Sequence, residues 1–205
     1  MKSRKPSIPY IIWMVVFTMI PLVMIGITAF KDKQGNFSLQ PMMNAFYYTD
    51  VFVKSLWIAF ISTVICLLLA YPLAYLITRM KKSSQNTMIM LMMIPMWMNF
   101  LLRIYAWITI LQKNGPVDMA LSFLGIHGTY IGNTAAVVLG MVYEYLPFMM
   151  LPIYTVMSKI DGSLIEAAQD LGSNNGAVFR KVIFPLSMPG VISGITLVFV
   201  PSAST

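Results

Sequence analysis

Four separate stretches of this sequence each commit a long run to apolar side chains, and a chain that does so has few folds open to it. Residues 8–30, 52–77, 88–111 and 134–157 are each near the roughly 20 apolar residues that cross the hydrocarbon of a bilayer. No water is available there, so every backbone amide and carbonyl must be satisfied within its own segment, and each run is expected to be a helix. Composition agrees. The chain is 58% hydrophobic and 10% charged, against about 25% charged in soluble domains. Nineteen Met add soft filling for contacts of imperfect shape. A further run opens near residue 191, but residues 191–205 are too short to cross, so the sequence reads as C-terminally truncated. The expected fold class is all-α: one polytopic transmembrane helical bundle over residues 1–205, with about five spans and the last incomplete.

Orientation follows from the basic residues. Lys2, Arg4 and Lys5 precede the first run; Arg79, Lys81 and Lys82 follow the second; Lys159, Arg180 and Lys181 follow the fourth. The intervening loops carry Lys31 and Lys33 in one and Lys113 in the other. The positive-inside rule therefore places the N-terminus, the turn at residues 79–82 and the segment 158–189 in the cytoplasm. The formal charge of +7 is a topology signal on this reading, and nucleic acid is not an expected partner. The basic start has the look of a secretion signal, but the length of the run and the spans behind it favour a retained first helix. Residues 112–133 form an outer loop with a short amphipathic helix around residues 117–124.

Residues 163–190 are the longest polar interruption in the C-terminal half. Ser163 and Glu166 have capping-box spacing, so a helix is expected to start there. Leu164, Ile165, Ala168 and Leu171 make one apolar face, and Gly172 stands where a helix end wants positive φ. A second short helix carries Phe179, Val182 and Ile183 until Pro185 stops it. Two small amphipathic helices with a bend between them suit docking into another protein's groove.

At these residues the chain resembles the EAA loop of ABC importer permeases: Glu166-Ala167-Ala168, then Gly172, then an apolar-x-apolar-Pro ending at Pro185. Val182 and Phe184 replace the commoner Ile and Leu of that pattern. The resemblance implies a cytoplasmic coupling helix seated in a cleft of an ATPase subunit, with Ser163, Glu166, Ala167, Ala168, Asp170, Leu171 and Gly172 receiving the ATP-driven motion. It also implies a bacterial inner (cytoplasmic) membrane location.

Chemistry of other kinds is thinly represented. The sequence holds no Gly followed by four residues and Gly-Lys-Ser/Thr, so it cannot cradle ATP by a P-loop. No cofactor is expected on this chain, and ATP and Mg belong to a partner. No metal-ligand cluster or nucleophile–base pair stands out, and an enzyme is not expected. Cys66 is alone and lies in an apolar run as a packing residue. His127, between Gly125 and Gly128, reads as a solvated loop residue.

Two charges fall inside spans, Arg103 and Glu144. An ionised group at mid-bilayer costs about 2.5–3.5 kcal/mol on insertion scales, so both should face protein or water. Counted from the outer ends of their spans, their depths differ by only about 3 Å at 1.5 Å per residue, which suits an ion pair. The functional alternative is that Glu144 lines a substrate path and attracts a cation. Aromatic and polar residues crowd the same depth: Trp97, Asn99 and Tyr105 beside Arg103, Tyr143 and Tyr145 beside Glu144. Aromatic faces with a carboxylate are what an organic ammonium ligand needs; an interfacial aromatic belt is the plainer alternative. Pro95 and Pro147 are expected to loosen their helices near that depth.

The pattern Pro95-x-Trp97-x-Asn99-x-Leu101-x-Arg103-Ile104-Tyr105, the segments Leu146-Pro147-Phe148 and Pro152-Ile153-Tyr154, and the loop above together resemble the spermidine/putrescine branch of these permeases. The resemblance implies a second permease subunit, an ATPase dimer and an extracytoplasmic polyamine-binding protein, all working at the lipid bilayer. Three other readings stay open at this point. The chain could serve a different small organic solute. It could be a proton-coupled carrier or membrane enzyme using Glu144. It could be a truncated product without function.

Overall fold

The computed structural model describes residues 7–31, 36–39, 43, 46–122 and 130–204. His127 and the N-terminal basic residues Lys2, Arg4 and Lys5 lie outside them. The described residues form helices, with an isolated bridge pairing Lys31 and Phe37. They group into two units, Met1–Val53 and Lys54–Thr205.

The first unit holds α1, Ser7–Ala29. Within this unit its side chains from Pro9 to Ala29 are exposed, and the helix is long and apolar enough to cross a membrane. Phe30 stacks on Phe37 at 5.7 Å after the helix ends.

The second unit takes in most of α2, Thr49–Thr78. There follow α3 (Lys82–Trp97), α4 (Phe100–Leu111), α5 (Pro116–Ser122) and α6 (Thr134–Met157). The chain then forms α7 (Gly162–Asp170), α8 (Asn175–Val178), a π-helical turn over Phe179–Ile183, and α9 (Phe184–Ser204). Four helices are long and apolar enough to cross a membrane, or five if the bent pair α3–α4 counts as one span. The fourth expected run and α6 coincide, and α5 falls where the short outer helix was expected.

Small residues let the helices approach. Ala59, Ser62, Cys66, Ala70 and Ala74 are buried along one stripe of α2, at helical spacing. Ser62 donates to Met141 Sδ (3.5 Å) and Cys66 to the Val142 carbonyl (3.7 Å), fastening α2 to α6. The main contact is α6 with α9. A Cβ added at Gly190 would lie 2.8 Å from the Pro152 carbonyl oxygen, and one at Gly194 would lie 2.8 Å from Met149 Sδ. This is the close backbone crossing that glycines four residues apart permit in membranes, where no hydrophobic gain separates lipid from protein contacts.

Prolines depart from expectation at Pro147 and Pro185. α6 runs through Pro147 and Pro152 without a break. The expected stop at Pro185 is also absent. Pro185 has no amide for the Lys181 carbonyl, and the chain widens just upstream instead: the Phe184 amide donates to the Phe179 carbonyl, five residues back. The helix therefore continues from Asn175 to Ser204, 30 residues, long and apolar enough to cross. Counted so, the fifth span begins as the second helix of the polar segment, not near residue 191. The third expected span, in contrast, is broken after Pro95. Met98 closes α3 and Asn99, extended at φ −59° and ψ 133°, caps α4 by accepting from the Leu101 amide at 2.8 Å; the axis turns by 93° there.

Candidate functional site: a capped knob and a paired charge in the bundle

The polar segment is a knob with capped helix ends. α7 starts at Gly162, and its cap is Asp161, whose side chain accepts from the Ser163 amide at 3.0 Å. The capping box expected at Ser163 and Glu166 is thus corrected: Asp161 lies before the apolar face and takes the N-cap role that Asp fills as well as Ser. The C-terminus is as expected. Gly172 has φ +82°. Its amide donates to the Gln169 carbonyl (2.8 Å) and that of Ser173 to Ala168 (3.1 Å), the paired bonds that close a helix on a left-handed residue. Asn174 then caps the next helix by accepting from Ala177 (2.8 Å), and Gln169 Nε2 donates to Asn175 Oδ1 (3.3 Å) across the bend.

One face of the knob is held and the other is free. Ile165, Ala168, Phe179 and Val182 pack on the buried core that includes Val178 and Ile183. Phe179 meets Tyr71 and Tyr75 of α2 edge-on, at 5.9 and 5.3 Å between ring centres. The opposite face, with Ser163, Leu164, Glu166, Ala167, Asp170 and Leu171, is exposed; Leu171 is 88% exposed. An apolar side chain in that state, on a helix fixed at both ends, is what a docking surface presents.

A seat of hydrogen bonds lies under the knob that sequence reading did not find. Gln85 Nε2 donates to the carbonyls of Thr78 (3.1 Å) and Met80 (2.9 Å), satisfying the orphan end of α2. Tyr154 donates to Gln85 Oε1 at 2.9 Å. Tyr71 and Ser187 hydroxyls are 2.9 Å apart. Arg79 donates to the Tyr75 hydroxyl at 2.9 Å, and its guanidinium sits over the Tyr75 ring, 5.1 Å from the centre. The available signal was Tyr71 and Tyr75 at i, i+4, with a lone Gln just after the basic turn.

Within the bundle, Arg103 and Glu144 come together. Arg103 Nη2 lies 3.2 Å from Glu144 Oε1, with the side chains 13% and 27% exposed. The bond is single, and Arg103 Nε finds no partner among the described residues. A cavity of about 360 Å³ opens beside the pair, walled by Trp107, Tyr143 and aliphatic side chains of α4 and α6. Trp107 and Tyr143 meet edge-to-face at 5.4 Å.

The other expected path residues are elsewhere. Trp97 is 84% exposed and Tyr105 65% exposed, and Asn99 is engaged as a helix cap. Tyr145 lies against Phe148, at 6.3 Å. For Tyr105 the reason is helical phase. Arg103, Trp107 and Leu111 repeat every four residues on the inner face of α4, and Tyr105, two residues on from Arg103, points about 200° away.

No protein-family profile matches the chain. Individual proteins do. It is 36% identical over 213 aligned positions to the spermidine/putrescine transport system permease protein PotB of Haemophilus influenzae, covering 98% of this chain and 74% of that one. It is 34% identical over 201 positions to PotB of Escherichia coli, covering 93% and 73%. The inner membrane ABC transporter permease protein YdcU of Escherichia coli is 29% identical over 165 positions, 73% of this chain and 53% of that one. Membrane-crossing helices, a capped polar knob between them and this identity over nearly the whole length lead to one assignment: the chain belongs to the PotB-type permeases of ABC transport systems.

Proposed function

We propose that this chain is the permease subunit of an ATP-driven polyamine importer and that the exposed face of α7 is where the ATPase engages it. What carries the reading is the identity of 34–36% to permeases whose names specify spermidine/putrescine transport. The knob supports it in physical terms: a helix closed at both ends, with Leu164 and Leu171 exposed on its free face, transmits force only if something grips that face. The chain's own residues include no P-loop, so nucleotide and Mg belong to an ATPase dimer. A second permease subunit and an extracytoplasmic polyamine-binding protein complete the assembly. The N-terminus and knob face the cytoplasm of a bacterial inner membrane, as the basic residues of the turns indicate. Motion of the knob passes to the spans as rigid-body rocking.

Co-purification tests this directly. The tagged chain is expected to bring an ATPase subunit with it, and a photo-cross-linker at the exposed Ala167 to join the two. The assembled transporter in proteoliposomes is expected to accumulate labelled spermidine or putrescine only with ATP. An isolated chain that carries polyamine without ATPase, or a cross-linker at Ala167 that reaches only the extracytoplasmic side, would refute the reading.

A further inference from the structure

The Arg103–Glu144 pair is built as a poor structural bond. A guanidinium offers five donors in a fork that matches a carboxylate through two parallel bonds. Here one donor reaches one oxygen, at 3.2 Å, and Nε is buried without a partner among the described residues. A buried pair stabilises only when its geometry is good and its remaining donors are met. The two partners also differ in their supports. Glu144 stands in the middle of α6, a continuous helix. Arg103 stands in the first turns of α4, a 12-residue helix that begins at the break between Met98 and Asn99.

Next to the carboxylate is a cavity of about 360 Å³ with a Trp107–Tyr143 wall. A carboxylate beside aromatic rings in an apolar pocket is a seat for an organic cation. The cation now in it is the chain's own guanidinium.

We propose that Arg103 is a displaceable internal lock on Glu144: an incoming aliphatic ammonium takes the guanidinium's place on the carboxylate, its methylene chain lies along the apolar wall of Ile104 and Ile108, and Arg103 swings away on the hinge at Asn99. The exchange replaces one cation by another. Glu144 is therefore never left as an unpaired, partly buried charge, the state that costs most. A neutral or anionic solute cannot make the exchange and leaves the lock closed. This inference rests on the polyamine reading of the function and adds to it the seat, the competitor and Trp107 as a cation-facing residue.

The test uses the assembled transporter in nanodiscs and reads the spermidine concentration that gives half-maximal protection against heat. Replacing Arg103→Gln removes the competitor, and the midpoint is expected to fall about tenfold, which corresponds to 1.4 kcal/mol of lost competition. Arg103→Lys keeps a cation on a shorter reach and is expected to lie between. The double change Arg103→Gln with Glu144→Gln removes both charges; it is expected to melt near the wild type without ligand and to lose protection by spermidine. Equal midpoints for wild type, Arg103→Gln and Arg103→Lys overturn the lock, and so does spermidine protection that survives in the double variant. In either case, ATP-dependent polyamine uptake by the wild type leaves the transport reading standing. A wild-type transporter that neither takes up spermidine or putrescine nor is protected by them overturns both.

Discussion

Replacing Gly172 by Ala isolates one physical quantity. A Cβ at this position would meet nothing within 4 Å, so crowding contributes nothing. What remains is the backbone, held at φ +82°, where an L side chain with a Cβ costs about 1–2 kcal/mol. The Schellman closure depends on that φ, since it brings the amides of Gly172 and Ser173 back to the carbonyls of Gln169 and Ala168. A loss of that size raises the local open population about 5- to 30-fold. Hydrogen exchange of the amides of residues 171–173, measured on the assembled transporter, reads it directly, because exposed helix ends open locally rather than with the whole fold. Gly172→Asn is the control: Asn visits the left-handed region more readily, so its exchange should rise less. If Ala and Asn raise exchange equally, or neither raises it, the closure is not what holds this end of the knob.

Other outcomes follow from the same geometry. Glu166→Lys reverses a charge on the exposed face of α7 and should leave membrane insertion intact while abolishing ATP-driven uptake, measured as labelled spermidine accumulated per inserted molecule. Tyr154→Phe leaves Gln85 Oε1 without its donor and should destabilise the assembled protein by about 1 kcal/mol, seen as a lower midpoint in thermal unfolding, with no change in the membrane topology. Gly194→Val drives side-chain atoms into Met149, where even a Cβ sits at 2.8 Å; overpacking of this kind costs about 1–3 kcal/mol and should lower folded yield in size-exclusion chromatography.

Much of this architecture is legible in the residues because membrane spans are chosen by length and apolarity alone. The fourth run and α6 match to the residue, and Gly172 adopts the φ its place demands. The pairing of Arg103 with Glu144 follows from equal depth on facing helices. What was not legible depends on competition between neighbours. Asp161 and Ser163 are both good caps, and only the chain's exit from α6 decides between them. Pro185 forbids one hydrogen bond but not the helix, because a wider turn upstream absorbs the mismatch. Of Pro95, Pro147 and Pro152 in the third and fourth expected runs, only Pro95 has a strong cap, Asn99, close behind it, and only there does the helix break. Tyr105 is near Arg103 in the sequence but on another side of its helix, and Trp97 lies beyond a 93° break; a count along the sequence supplies neither.

The unbroken helix from Asn175 to Ser204 crosses α6 at Gly190 and Gly194, and that contact makes a fulcrum. The arm from Asn175 to Gly190 is about 22 Å long at 1.5 Å per residue. A tilt of about 5° moves its Asn175 tip by about 2 Å and swings the part beyond the fulcrum the opposite way. A seesaw of this form widens one mouth of a passage as it narrows the other, without bending any part of the rod.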